Sequence, residues 1–117
     1  GNFRCHTGEM LYVFGNVARA GLPYRDEGDL VFERYVLDSF ASFARTYDPN
    51  PDVAFLEARG YASTLEVVNV SGRWEPTVKG NMRMRALDLP GRGDAMKGFQ
   101  DLEQCEWLGV PTDYWLR

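Results

Sequence analysis

The sequence predicts a mixed α/β chain: two helices, a few β-strands and a short C-terminal helix, with too few strands to build a sizeable sheet of its own. Three observations predict this. Phe32, Val36, Phe40, Phe43 and Tyr47 recur at helical spacing, with Leu37, Ala41 and Ala44 widening the stripe. Downstream, residues 65–70, 74–78 and 82–89 form short runs bounded by turn residues, which read as strands. Asp48-Pro49-Asn50-Pro51 separates the two textures, because the residue before a proline is pushed out of the helical region.

In chain order, the first helix is expected to start near Glu9, with Thr7 as its cap, and to run through Leu11, Val13 and Phe14 before Gly15 and Asn16 end it. Gly21, Pro23 and Gly28 mark a loop. The long helix is expected over 30–47 with Asp29 as N-cap, leaving Glu33, Arg34, Asp38 and Arg45 largely off the apolar stripe. Ser71-Gly72 reads as a turn between the first two strands, Pro90-Gly91 ends the third, and a final helix is expected over 99–108.

The chain has 117 residues, 44% hydrophobic and 26% charged, which places it among globular rather than disordered chains. That length suits one segment, residues 1–117, burying roughly two-thirds of its unfolded surface. No apolar run approaches the ~18 residues of a membrane-spanning helix. A net charge of −4 and the lack of a Lys/Arg cluster argue against nucleic acid as a partner. One histidine and two distant cysteines, Cys5 and Cys105, make no zinc site at any usual spacing, so no metal and no cofactor is expected. The chain opens on Gly1 rather than Met and is expected to derive from a longer protein.

The chemistry centres on His6. A lone histidine is more often a packed or surface residue than a catalyst. Its surroundings change that reading: Cys5-His6-Thr7-Gly8-Glu9 leads into a hydrophobic helix ending in Val13-Phe14-Gly15. Further on come Arg45-Thr46-Tyr47-Asp48-Pro49-Asn50-Pro51, Gly72-Arg73-Trp74-Glu75-Pro76, Arg85-Ala86-Leu87-Asp88-Leu89 and Gln104-Cys105-Glu106-Trp107. In this order, and over nearly the whole chain, these motifs resemble the C-terminal segment of the type-B carboxylesterases. That α/β-hydrolase family includes cholinesterases and fungal lipases, and the likeness suits a fungal carboxylesterase. The chain departs from the pattern at Thr7, where relatives often carry Gly, Ala or Ser, and at Cys5, which is not a general feature of the family.

The resemblance implies the C-terminal part of an α/β-hydrolase fold, incomplete alone, in which His6 is the general base of a Ser-His-Glu/Asp triad. Ester hydrolysis by serine needs a group that takes the hydroxyl proton near neutral pH and returns it to the leaving alcohol, and imidazole, with an ordinary pKa of about 6.5, does both. In α/β-hydrolases the chain order is nucleophile, acid, histidine. None of Ser39, Ser42, Ser63 and Ser71 stands in Gly-x-Ser-x-Gly, so the nucleophile and acid are expected upstream and this chain alone is expected to be inactive. Its partner is then the remainder of the same hydrolase, and its substrate a small-molecule or lipid ester. The alternative is a stand-alone, non-catalytic binding protein derived from an esterase tail.

Glu9 has two readings: an acid that orients the histidine loop, as the resemblance suggests, or a first-turn acid favoured by the helix dipole. The large aromatics are expected to pack rather than to touch substrate. In the cholinesterase-like relatives the near-terminal cysteine pairs with one upstream of the histidine loop. The resemblance therefore favours Cys105 bonding outside this chain or staying reduced over pairing with Cys5. Asn69-Val70-Ser71 is an N-glycosylation sequon, which favours an extracellular location over a cytoplasmic one. Arg92-Gly93-Asp94 spells an integrin-type tripeptide but is expected to be an exposed turn.

Overall fold

Asp26, in extended backbone, accepts the Gly28 N–H at 2.8 Å and starts a 20-residue helix around which the rest of the chain is arranged. The computed structural model describes residues 6–80, 82–90, 92, 94–99 and 101–111. Within them the order is α1 (Glu9–Val13), α2 (Glu27–Thr46), α3 (Val53–Arg59), α4 (Ala62–Ser71), β1 (Arg83–Ala86), β2 (Ala95–Gly98) and α5 (Leu102–Trp107). The strands β1 and β2 form an antiparallel pair, with Arg83 opposite Gly98 and Ala86 opposite Ala95.

The N-cap of α2 is therefore Asp26, not Asp29. Asp29 sits one turn inside, nearly fully buried, and accepts the Arg25 backbone N–H at 2.7 Å and its guanidinium at 2.5 Å. These hydrogen bonds hold the Asp29 carboxyl below the ordinary carboxylate range. At the other end, Tyr47 adopts left-handed backbone (φ 60°) and its N–H closes on the Phe43 carbonyl at 2.8 Å, after which Asp48-Pro49 stops the helix as expected.

The burial of α2 differs from the expected stripe. At about 100° per residue, Asp29, Glu33, Val36, Phe40, Phe43 and Tyr47 share one side of the helix. The first three are covered: Glu33 accepts the Val17 N–H at 3.2 Å and the Tyr24 hydroxyl at 2.6 Å, tying the 17–24 loop down. The last three are not: Phe40 is 41%, Phe43 51% and Tyr47 88% exposed. Asp38, on the opposite side, is fully buried where α3 and α4 close over it, and it pairs with Arg59. Glu33 and Asp38, expected to lie largely off the apolar stripe, are inside, and each is hydrogen-bonded there.

Residues 65–70, expected as a strand, lie in α4. The chain turns tightly at Gly60, in left-handed backbone (φ 73°), and buries Thr64 and Val67 at helical spacing. Packing on α2 and α3 overrides the strand preference of the valines, which is a fraction of a kcal/mol per residue. Residues 74–78 do not form the expected return strand either. The Trp74 backbone is taken by the side chain of Asn50, which accepts its N–H at 2.6 Å and donates to its carbonyl at 3.0 Å. The expected 82–89 strand is limited to β1, and the final helix to α5.

The apolar core is small: Val17, Tyr35, Val36, Leu56 and Val67. It is supplemented by buried charge. Arg85 on β1 grips Asp94 with two hydrogen bonds, 3.1 and 2.5 Å, both side chains essentially inaccessible to solvent. The same guanidinium donates to the Ser71 carbonyl at 3.0 Å, closing the open end of α4.

The histidine turn and an open aromatic face

His6 lies in a turn just before α1 and is exposed. Among the described residues, nothing hydrogen-bonds its imidazole. Thr7 takes left-handed backbone (φ 63°) and its hydroxyl donates to the His6 carbonyl at 2.6 Å, so Thr7 does not cap α1. The cap position is Gly8, with no side-chain bond. Glu9 opens the first turn of α1, exposed and without an ion pair among the described residues. That position suits the first-turn reading, and nothing ties Glu9 to His6.

The α1 helix packs on α2 through an edge-on contact between Tyr12 and Phe32, centroids 5.1 Å apart. Beside this contact opens an apolar groove of ≈ 510 Å³, walled by Glu9, Met10, Val13 and Phe14 on one side and Phe32, Val36, Phe40 and Leu87 on the other. Phe40 also borders a second apolar hollow of ≈ 270 Å³, formed with Ser39, Phe43, Pro49 and Trp74. Phe43 and Trp74 continue into a third, more polar hollow, ≈ 770 Å³, that reaches Tyr47 and Pro76 and is edged by Asp48, Arg73 and Glu75. The uncovered half of α2 therefore joins the histidine end of the molecule to the Trp74 segment as one band of apolar surface.

Of the serines, Ser39 borders the second hollow. Ser39 and Ser42 are buried on α2, and Ser63 and Ser71 are on α4 with hydroxyls shut from solvent, so none is an exposed nucleophile. Among the described residues no group of His, Cys, Asp and Glu could hold a metal ion, and no helix is long and apolar enough to cross a membrane. The chain matches no family model, no curated protein and no solved structure.

The other expected sites divide. Asn69 is exposed on α4, but the Ser71 hydroxyl of its sequon is buried at the helix end. Cys105 is a free, half-buried thiol on α5, and Cys5 lies outside the described residues. In the Arg92-Gly93-Asp94 tripeptide, Gly93 lies outside them too. Asp94 is not the exposed turn residue expected: its carboxylate is enclosed with Arg85, while exposed Arg92 reaches Asp26 at 3.4 Å.

Shifted groups lie on α2 and on the β1–β2 pair. Burial raises the Asp38 carboxyl, with Arg59 pulling it back. Burial also raises the Tyr35 hydroxyl, and Asp94 adds to it. For Arg85, burial opposes the charge, but the hydrogen bonds and charges of Asp94 and Tyr35 together outweigh it and hold the guanidinium protonated. These groups hold the helices and the hairpin together. Reading the sequence missed a further group, Arg34, Arg45 and Arg59 around Tyr61 and Phe55. Its signal was present: Arg34 and Arg45 are eleven residues apart, three helical turns, and so share a face.

Proposed function

We propose that this chain supplies the catalytic histidine of a serine carboxylic-ester hydrolase whose nucleophile, triad acid and oxyanion loop lie on another stretch of polypeptide. The observation that carries the reading is the uncovered Phe40–Phe43–Tyr47 side of α2, continuous with the groove beside the His6 turn. Aromatic side chains at helical spacing earn their place by burial against another layer. In an α/β-hydrolase that layer is the central sheet, and the described residues contain only a two-stranded ribbon.

In this reading the imidazole of His6, free of any partner within the described residues, receives its orienting carboxylate from the other stretch. It takes the proton of the serine hydroxyl as the serine oxygen attacks the ester carbonyl, and passes that proton to the departing alkoxide. Water then repeats the cycle on the acyl-enzyme. Glu9 contributes to the first turn of α1 rather than to proton transfer. Asn69 carries a glycan if the protein is secreted, attached before α4 closes over Ser71.

The chain by itself is expected to be inactive on p-nitrophenyl acetate and to bind the dye ANS on its exposed aromatic face. Activity and loss of dye binding should appear together when the complementary polypeptide is added. Hydrolysis by the chain alone that disappears in H6A would overturn the proposal.

A further inference from the structure

We propose that Thr7 is a positioning residue for His6: its left-handed backbone and its hydroxyl together set the direction in which the His6 side chain leaves the chain. Thr7 has this role only if His6 is the proton carrier proposed above. Proton transfer tolerates little error, since a misplacement of about 1 Å can cost about 10²-fold in rate. His6 is exposed, and among the described residues nothing hydrogen-bonds its ring. Within this chain its placement therefore comes from the backbone that carries it.

That backbone can be followed outward from the long helix. The α1 helix meets α2 at two points. Tyr12 touches Phe32 edge-on, with centroids 5.1 Å apart. Just past the end of α1, Gly15 comes so close to α2 that a Cβ there would lie 3.0 Å from Leu37 Cδ2. At the other end, the Thr7 carbonyl accepts the Met10 N–H at 3.1 Å, which joins Thr7 to the first turn of α1. Thr7 itself sits at φ 63°. A β-branched residue rarely adopts this region, which glycine or asparagine occupies with less strain. Such a conformation persists where its surroundings over-determine it, and it gathers at working sites. Here the second constraint is the Thr7 hydroxyl, which donates to the His6 carbonyl at 2.6 Å. That carbonyl belongs to the peptide joining the two residues, so the bond fixes the peptide plane on which His6 is carried. Thr7 is exposed, so packing does not account for a branched residue at this position. Glycine would satisfy the turn but leave it free to move, whereas threonine holds it in one state.

The test is steady-state hydrolysis of p-nitrophenyl acetate by the assembled hydrolase carrying T7S, T7A or T7V, with H6A beside them. T7A and T7V both lack the hydroxyl, and T7V keeps the branch. Each is expected to lower kcat by about 10²-fold with KM little changed, because the reacting group is misplaced while substrate binding is not. T7S keeps the hydroxyl and should recover most of the activity lost in T7A. Melting curves check that each variant keeps its fold, and if T7V does not, T7A and T7S decide. In the 117-residue chain, a strong nuclear Overhauser effect between the Thr7 amide proton and its own Hα is expected, and it reads the left-handed geometry without any catalysis. A weak effect there, a loss that T7S shares in full, or T7A and T7V within a few-fold of the parent while H6A is inactive would overturn the positioning role. H6A as active as the parent would overturn the catalytic reading of His6, and the role of Thr7 with it, so the two failures are told apart.

Discussion

Replacing His6 with alanine in the assembled hydrolase is expected to lower kcat by about 10⁶-fold, the loss seen when the histidine of a serine-protease triad is removed, with KM little changed. The size of the effect follows from what the imidazole does. Without it the serine hydroxyl has no acceptor for its proton, and the leaving alkoxide has no donor. The chain has a single histidine, so no other imidazole of this chain substitutes for it. His6 is exposed and, among the described residues, bonded to nothing through its ring, so H6A should leave thermal stability within about 0.5 kcal/mol of the parent, as for other surface substitutions. Steady-state kinetics on a p-nitrophenyl ester together with a melting curve separates loss of chemistry from loss of fold. A fall of only a few-fold would assign His6 to the surface.

The second large effect is on stability and concerns the pair Arg85–Asp94. Both side chains are shut from solvent, at 1% and 0% exposure, so removing either strands the other as a buried charge. R85M or D94L alone is expected to destabilise the chain by about 3–5 kcal/mol. R85M carries an added loss, because the Ser71 carbonyl at the end of α4 loses its donor. The double variant R85M/D94L should be better tolerated than the sum of the two, since it leaves no unpaired charge and places apolar volume beside Tyr35. Urea denaturation of the three variants measures the coupling. Additive losses would mean that the two groups do not depend on each other.

What the sequence revealed and concealed has physical causes that can be traced to residues. The long helix was legible because its period is strong and Asp48-Pro49 is a hard stop. Its start was misplaced by three residues because Asp26 and Asp29 are both good caps, and only Arg25, bonded to Asp29, decides between them. The α4 helix was hidden because Val67, Val68 and Val70 favour strands locally, and the burial of Thr64 and Val67 against α2 and α3 is a tertiary fact. The 74–78 segment was misread for a similar reason: Asn50, far away in sequence, claims its backbone. Glu33 and Asp38 were expected only to lie off the apolar stripe; their burial depends on partners, Val17, Tyr24 and Arg59, that are visible only in three dimensions.

The candidate site was legible as letters around His6 and not as geometry. A turn that presents an imidazole, a short helix and an aromatic helix face are all encoded locally. In the proposed function the nucleophile and the triad acid lie on another stretch of polypeptide, so no local pattern here could arrange them. The proposed function accounts for the unequal burial of α2, with one half covered by the 17–24 loop and α1 and the other half left open.

The most direct test is the intact mass of the native protein, measured with and without reductant. The proposed function predicts a second stretch of polypeptide carrying Gly-x-Ser-x-Gly, either associated with this chain or continuous with it, and protection of Phe43 and Tyr47 from solvent labelling in that assembly. A native species of this chain's own mass, stable and monomeric, with no such companion, would contradict it.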